Sequence, residues 1–128
     1  MKIILTNMCM LYDNKGNILV QERVKNDWPG ITFPGGHIER DETIIESVIR
    51  EIREETGYII KDLLCCGIKE WLIDGERHLV ILFKTDTFQG SLHPSKEGEV
   101  FWIKEDDLLQ YSLAVDTYEI YEIMKYKI

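Results

Sequence analysis

The sequence predicts an α/β fold, a mixed β-sheet with helices on its faces. Three observations predict it. The segment from about Thr43 to Thr56 has helical periodicity and helix signals at both ends. Several short runs are rich in apolar and β-prone residues and are punctuated by Asp, Asn and Gly. Strands fall before, between and after the helices, an order that sets helices against a sheet.

The elements follow in order. Ile3 to Tyr12 reads as a strand, and Asp13-Asn14-Lys15-Gly16-Asn17 as a turn. Ile18 to Val24 reads as a second strand, so the two are expected to form a hairpin. Asn26-Asp27-Trp28-Pro29-Gly30 has loop chemistry. Ile31-Thr32-Phe33 is a short strand, ended by a Pro34-Gly35-Gly36 loop. In the helix, Thr43 and Glu46 have capping-box spacing. Ile45, Val48, Ile49 and Ile52 form an apolar stripe for core packing, and Gly57 sits where a C-cap glycine belongs. Parts of Ile59 to Ile73 and then His78 to Thr85 read as strands joined by an Asp74-Gly75 turn. Glu99 to Ile103 is a short strand before a helical turn at Glu105 to Leu109. Asp116 to Lys125 is a final helix with Tyr118, Ile120, Tyr121 and Met124 available to pack.

The 128 residues read as a single domain, 1–128. A net charge of −8 disfavours long DNA or RNA as a partner. A small phosphorylated substrate stays open if metal ions neutralise its site, and the same acidity is common in ordinary soluble domains. No run approaches the ~18 apolar residues of a membrane span, and Ile3-Ile4-Leu5 is too short for a signal peptide. The expectation is a cytoplasmic protein. Cys9, Cys65 and Cys66 are odd in number and lack zinc spacing, which fits a reduced compartment and three core residues. Ile3-Ile4-Leu5 reads equally as the edge of a homodimer or as a covered core strand.

The chemistry concentrates in Gly36 to Tyr58, GHIERDETIIESVIREIREETGY. With Ile45 at zero and about 100° per residue, Glu51, Glu54 and Glu55 fall at roughly 240°, 180° and 280°. Three carboxylates thus share an arc beside the core stripe. Arg50 lies one turn from Glu54 and can orient it. Like charges this close destabilise one another, and a divalent cation offsets that cost. Carboxylate oxygens are hard ligands, suited to Mg²⁺, with Mn²⁺ as the second choice. A salt-bridged surface helix is the bland reading of an EIREE run taken alone. The glycines at 35 and 36 let backbone approach metal and phosphate closely.

The full spacing resembles the Nudix signature, Gly-x5-Glu-x7-Arg-Glu-U-x-Glu-Glu-x-Gly-U, with U a bulky apolar residue. Gly36, Glu42, Arg50, Glu51, Ile52, Glu54, Glu55, Gly57 and Tyr58 match; Tyr58 is aromatic where an aliphatic residue is usual. A chance match is on the order of one in ten million or rarer. The segments Asn7 to Met10, Trp28-Pro29-Gly30, Phe33 to His37 and Glu97 to Trp102 resemble bacterial MutT-type 8-oxo-dGTP diphosphatases.

The resemblance implies an α/β/α sandwich and a Mg²⁺-dependent diphosphatase. Glu51, Glu54 and Glu55 would be metal ligands, joined by the Gly35 carbonyl. A later carboxylate, Glu97 first and Glu99 second, would complete the site or act as base. The substrate would be a small nucleotide: 8-oxo-dGTP, cleaved to the monophosphate and pyrophosphate, or alternatively ADP-ribose or a nucleotide sugar. A non-catalytic sensor of this fold usually lacks signature residues, and here Arg50, Glu51, Glu54 and Glu55 are all present. Arg23, His37 and Arg77 are candidate phosphate or base contacts. Phe33, with Trp28 and Trp71, is a candidate for stacking on a base, against core packing as the plainer role. Asp116 resembles the acidic residue that reads a purine edge, and equally the N-cap of the last helix.

Overall fold

The computed structural model describes residues 1–24, 28–93 and 98–125. Along the chain lie β1 (Lys2–Leu11), β2 (Asn17–Arg23), β3 (Gly30–Thr32), β4 (Gly35–His37), α1 (Ile44–Thr56), β5 (Ile59–Lys61), β6 (Leu64–Ile73), β7 (Glu76–Thr85), β8 (Thr87–Gln89), β9 (Val100–Lys104), a 3₁₀ helix (Glu105–Gln110) and α2 (Thr117–Lys125). The principal sheet has the order β4-β1-β7-β6 and is mixed: β1 and β7 run parallel, while β4 and β6 join antiparallel. A three-stranded sheet, β3-β2-β9, and the β5-β8 pair complete the strands.

Alternation along β1 distributes two cores. Cys9 and Leu11 face one side with Val48 and Ile52 of α1. Met8 and Met10 face the other with Ile120, Tyr121 and Met124 of α2. The sheet is therefore sandwiched between helices, the α/β/α architecture expected. No helix among the described residues is long and apolar enough to cross a membrane.

α1 forms where its local signals placed it. Thr43 accepts from the Glu46 backbone N–H and Glu46 reaches back to the Thr43 N–H, closing the capping box. Gly57 ends the helix at φ 90°, its N–H bonded to the Arg53 carbonyl. Asp74 and Gly75 both have positive φ, as a two-residue hairpin turn between β6 and β7 requires.

Four expectations are corrected. β1 and β2 do not form a hairpin; only Tyr12 bridges Ile18, and the chain then passes from one sheet to the other. Gly35-Gly36-His37 is a strand paired with Thr6 to Met8 of β1, not a loop. Ile45 and Tyr118 stay exposed, and Ser47, Glu55 and Thr56 take part of the buried face of α1 instead. Cys65 is exposed, whereas Cys9 and Cys66 are buried.

Candidate active site

Because β4 lies beside β1, its glycines meet the acidic face of α1. Glu55 is buried and accepts the Gly35 N–H at 2.9 Å. A Cβ at position 35 would stand 2.0 Å from the Asn7 carbonyl oxygen, so the pairing demands glycine. A Cβ at position 36 would come within 2.5–2.7 Å of the Glu51 carboxylate. The three glutamates are thus graded: Glu55 inside, Glu51 against the glycine strand, and Glu54 half exposed.

Arg50 ties this group together. Its Nη1 donates to Glu51 Oε1 at 2.9 Å and to Glu54 Oε2 at 3.2 Å. Its other edge holds Glu42 bidentately, Nε to Oε2 at 2.9 Å and Nη2 to Oε1 at 2.7 Å, and Nη2 also reaches the His37 carbonyl. Bidentate, charge-assisted bonds of this kind fix orientation as well as charge. The Arg50 hydrogen bond holds the Glu42 carboxyl down to about 2 from its usual 4.5. Glu42 and then Glu51 keep Arg50 protonated well above its ordinary range.

The donor set fits a hard divalent cation: carboxylate oxygens of Glu51, Glu54 and Glu55 beside a glycine backbone. Among the described residues no three His, Cys, Asp or Glu side chains stand close enough, as placed, to hold one. The cation bridging Glu51 and Glu54 here is the Arg50 guanidinium.

A second cluster lies where β6 approaches the start of α2. Trp71 Nε1 donates to Asp116 Oδ2 at 2.7 Å. Trp28 meets Trp71 edge-on at 6.4 Å between centroids, and its own indole donates to the Val115 carbonyl. The Arg23 guanidinium lies 5.2 Å over Trp28 while its Nε bonds the Trp28 carbonyl. Lys69 pairs with Glu119 at 2.7 Å and stands 5.9 Å over Trp71.

The NUDIX domain family model matches residues 4–123, nearly the whole chain. The chain belongs to the Nudix family. The uncharacterized Nudix hydrolase YvcI of Bacillus subtilis is 30% identical over 122 residues, spanning 91% of this chain and 75% of that protein. An ADP-ribose pyrophosphatase of Methanocaldococcus jannaschii is 39% identical over 95 residues, 70% of this chain and 55% of that protein. Among solved structures, a MutT protein from Bacillus halodurans superposes with a TM-score of 0.78 at 27% identity, covering 92% of this chain and 80% of that one. As a Nudix protein this is a phosphohydrolase of nucleoside-diphosphate-linked moieties, in a family that generally requires Mg²⁺ or Mn²⁺.

Within this Nudix fold the candidate residues separate. Arg50, Glu51, Glu54, Glu55 and Gly35 come together, with His37 exposed at the end of β4. Arg23, Trp28, Trp71 and Asp116 form the second group. Asp116 precedes α2 at φ 68°, and its carboxylate engages Trp71. Phe33 is not available for stacking; it is fully buried in the core on the α2 side. Arg77 does not join the Trp71 cluster. Register partners share a sheet face, and Arg77 is opposite Leu72, whereas Trp71 is opposite His78. Glu97 lies outside the described residues, and Glu99 is exposed in the segment before β9. Two roles escaped the sequence reading. The Glu42 clamp on Arg50 was announced only by the fixed spacing of Glu42 in the signature. Lys69 carried no signal, since its place over Trp71 arises from strand register and a long-range pair.

Proposed function

We propose that the chain hydrolyses the diphosphate linkage of a purine nucleoside triphosphate, with 8-oxo-dGTP as the first substrate to test, releasing the monophosphate and pyrophosphate. The observation that carries the reaction is the packing of the glycine strand against Glu51 and Glu55, with Arg50 joining Glu51 to Glu54.

In this reading Glu51, Glu54, Glu55 and the Gly35 carbonyl would hold Mg²⁺, with Glu97 as the further ligand that the resemblance implies. When bound, the ion would supply positive charge for the phosphoryl oxygens and make the attacking water more acidic. The protein does the rest. Arg50 holds the Glu51 carboxylate in one orientation, which preorganises the site. One of the carboxylates, Glu54 or Glu97, accepts the proton of the attacking water. His37, exposed beside Gly36, meets a phosphate. Asp116 retains acceptor capacity beyond its Trp71 bond and takes donors from a purine edge. Trp28 and Trp71 offer apolar ring surface for the base, with Arg23 alongside.

ADP-ribose is the second reading, favoured by the 39% identity to the M. jannaschii enzyme. Purified protein with Mg²⁺ is assayed against 8-oxo-dGTP, dGTP, CTP, a nucleotide sugar and ADP-ribose, with phosphate, pyrophosphate and monophosphate resolved. The expected result is a kcat/KM highest for 8-oxo-dGTP, reduced by ~10²–10⁴-fold in Glu54→Gln. A preference for ADP-ribose would replace the substrate reading and leave the reaction class standing. No turnover on the panel, with nucleotide binding unchanged in Glu54→Gln, would make the chain a sensor rather than an enzyme.

A further inference from the structure

α1 covers only part of its side of the principal sheet. Asn7 Nδ2 bonds Ser47 Oγ at 3.0 Å, which pins the first turns of the helix over the middle of β1. Before that point strand register lines up three rows on the same face: Ile3, Arg77 and Leu72; Leu5, Leu79 and Glu70; Asn7, Ile81 and Ile68. The outer members are open to water, Ile3 at 56%, Leu5 at 37%, Ile68 at 55% and Leu72 at 64% exposure. Ile44 and Ile45, in the turn of α1 before Ser47, are exposed as well.

We infer that this apolar sheet face is the interface of a homodimer, each copy covering the other about a two-fold axis. Two observations select a second copy as the occupant. The first is charge. The patch holds one cation and one anion, Arg77 and Glu70, both partly exposed with Nε to Oε2 at 2.9 Å. A two-fold interface must be self-complementary, and a face with one charge of each sign on neighbouring strands meets that condition. The copies can place Arg77 of each opposite Glu70 of the other. Both side chains are partly exposed in the single chain, so the pair can be exchanged between copies.

The second is area. The four most exposed side chains leave roughly 400 Å² of apolar surface in water, within the size range of the largest patch on an ordinary monomer. That is about half of the ~800 Å² per partner of a standard interface. Leu79, Ile81, Ile44, Ile45 and the ion pair lie within or beside this surface and supply the remainder.

Sedimentation velocity of the full chain from about 1 to 100 µM tests this. The expected result is a monomer–dimer equilibrium. Leu72→Glu and Ile68→Glu should each be monomeric across the range, with unchanged circular dichroism and melting temperature, because both side chains are exposed in the single chain. Glu70→Arg alone should weaken the dimer at least ~10-fold, and Glu70→Arg combined with Arg77→Glu should restore it, since the exchanged pair is again self-complementary. A wild-type chain that stays monomeric at 100 µM overturns the inference. So does a dimer that survives Leu72→Glu and Ile68→Glu, which would place the contact elsewhere, and so does a double charge exchange that restores nothing.

Discussion

Glu42 is a residue near the site whose ionisation the fold controls. Arg50 grips it with two bonds and so favours its charged form. Its carboxyl titrates near 2 in the fold against about 4.5 in an open chain. A depressed pKa contributes stability above the unfolded value, and that contribution is lost as pH falls through the folded value. Glu42→Gln should therefore melt below the wild type at pH 7, with the gap closing as pH falls from about 4.5 to about 2. A gap that stays constant over that window would show that Glu42 acts by packing alone. Arg50 also orients Glu51, so the same variant should lose activity ~10- to 100-fold, the scale seen when an outer partner of a metal ligand is removed.

At the scale of elements, α1 and β4 illustrate two kinds of requirement. The capping box of α1 is local, and Thr43→Ala removes one acceptor for the Glu46 N–H. It should cost about 1 kcal/mol by urea unfolding and leave kcat unchanged. Gly35→Ala is different in kind. Its methyl would meet backbone of Asn7 and Met8, which cannot move aside as a side chain does. The β4–β1 pairing and the Gly35 bond to Glu55 should be disturbed together. Turnover should then fall by ~10²-fold or more at temperatures where the variant is still folded, the scale of misplacing a catalytic group by about 1 Å. Equal effects of the two variants on kcat would refute the assignment of β4 to the site. α1 was legible because caps and periodicity lie within fifteen consecutive residues. β4 was not, because Gly35 and Gly36 have low strand propensity and take strand geometry from β1.

For the whole molecule, the sheet is held by two cores, and α1 is fastened by one of them. Ile52 is completely buried there with Val48, Cys9 and Phe83. Ile52→Ala should cost roughly 2–5 kcal/mol in urea unfolding with an unchanged m-value; a cost under 1 kcal/mol would mean that the α1 core is loosely packed. The sequence by itself determined the α/β class, the span and caps of α1, the β6–β7 turn and the order of the acidic residues on one helix face. Each follows from interactions between residues close in the chain, where period and cap chemistry have one geometric solution. The tertiary structure decided which strands became neighbours. Strand pairing joins residues far apart, and its face is set by register, where a one-residue shift reverses every side chain. For that reason β2 left β1 for a second sheet, Phe33 went into the core, Arg77 turned to the apolar face, and Asp116 met Trp71. The acidic helix was written in the local pattern; the glycine strand that completes its site, and the apolar face beyond it, came from register.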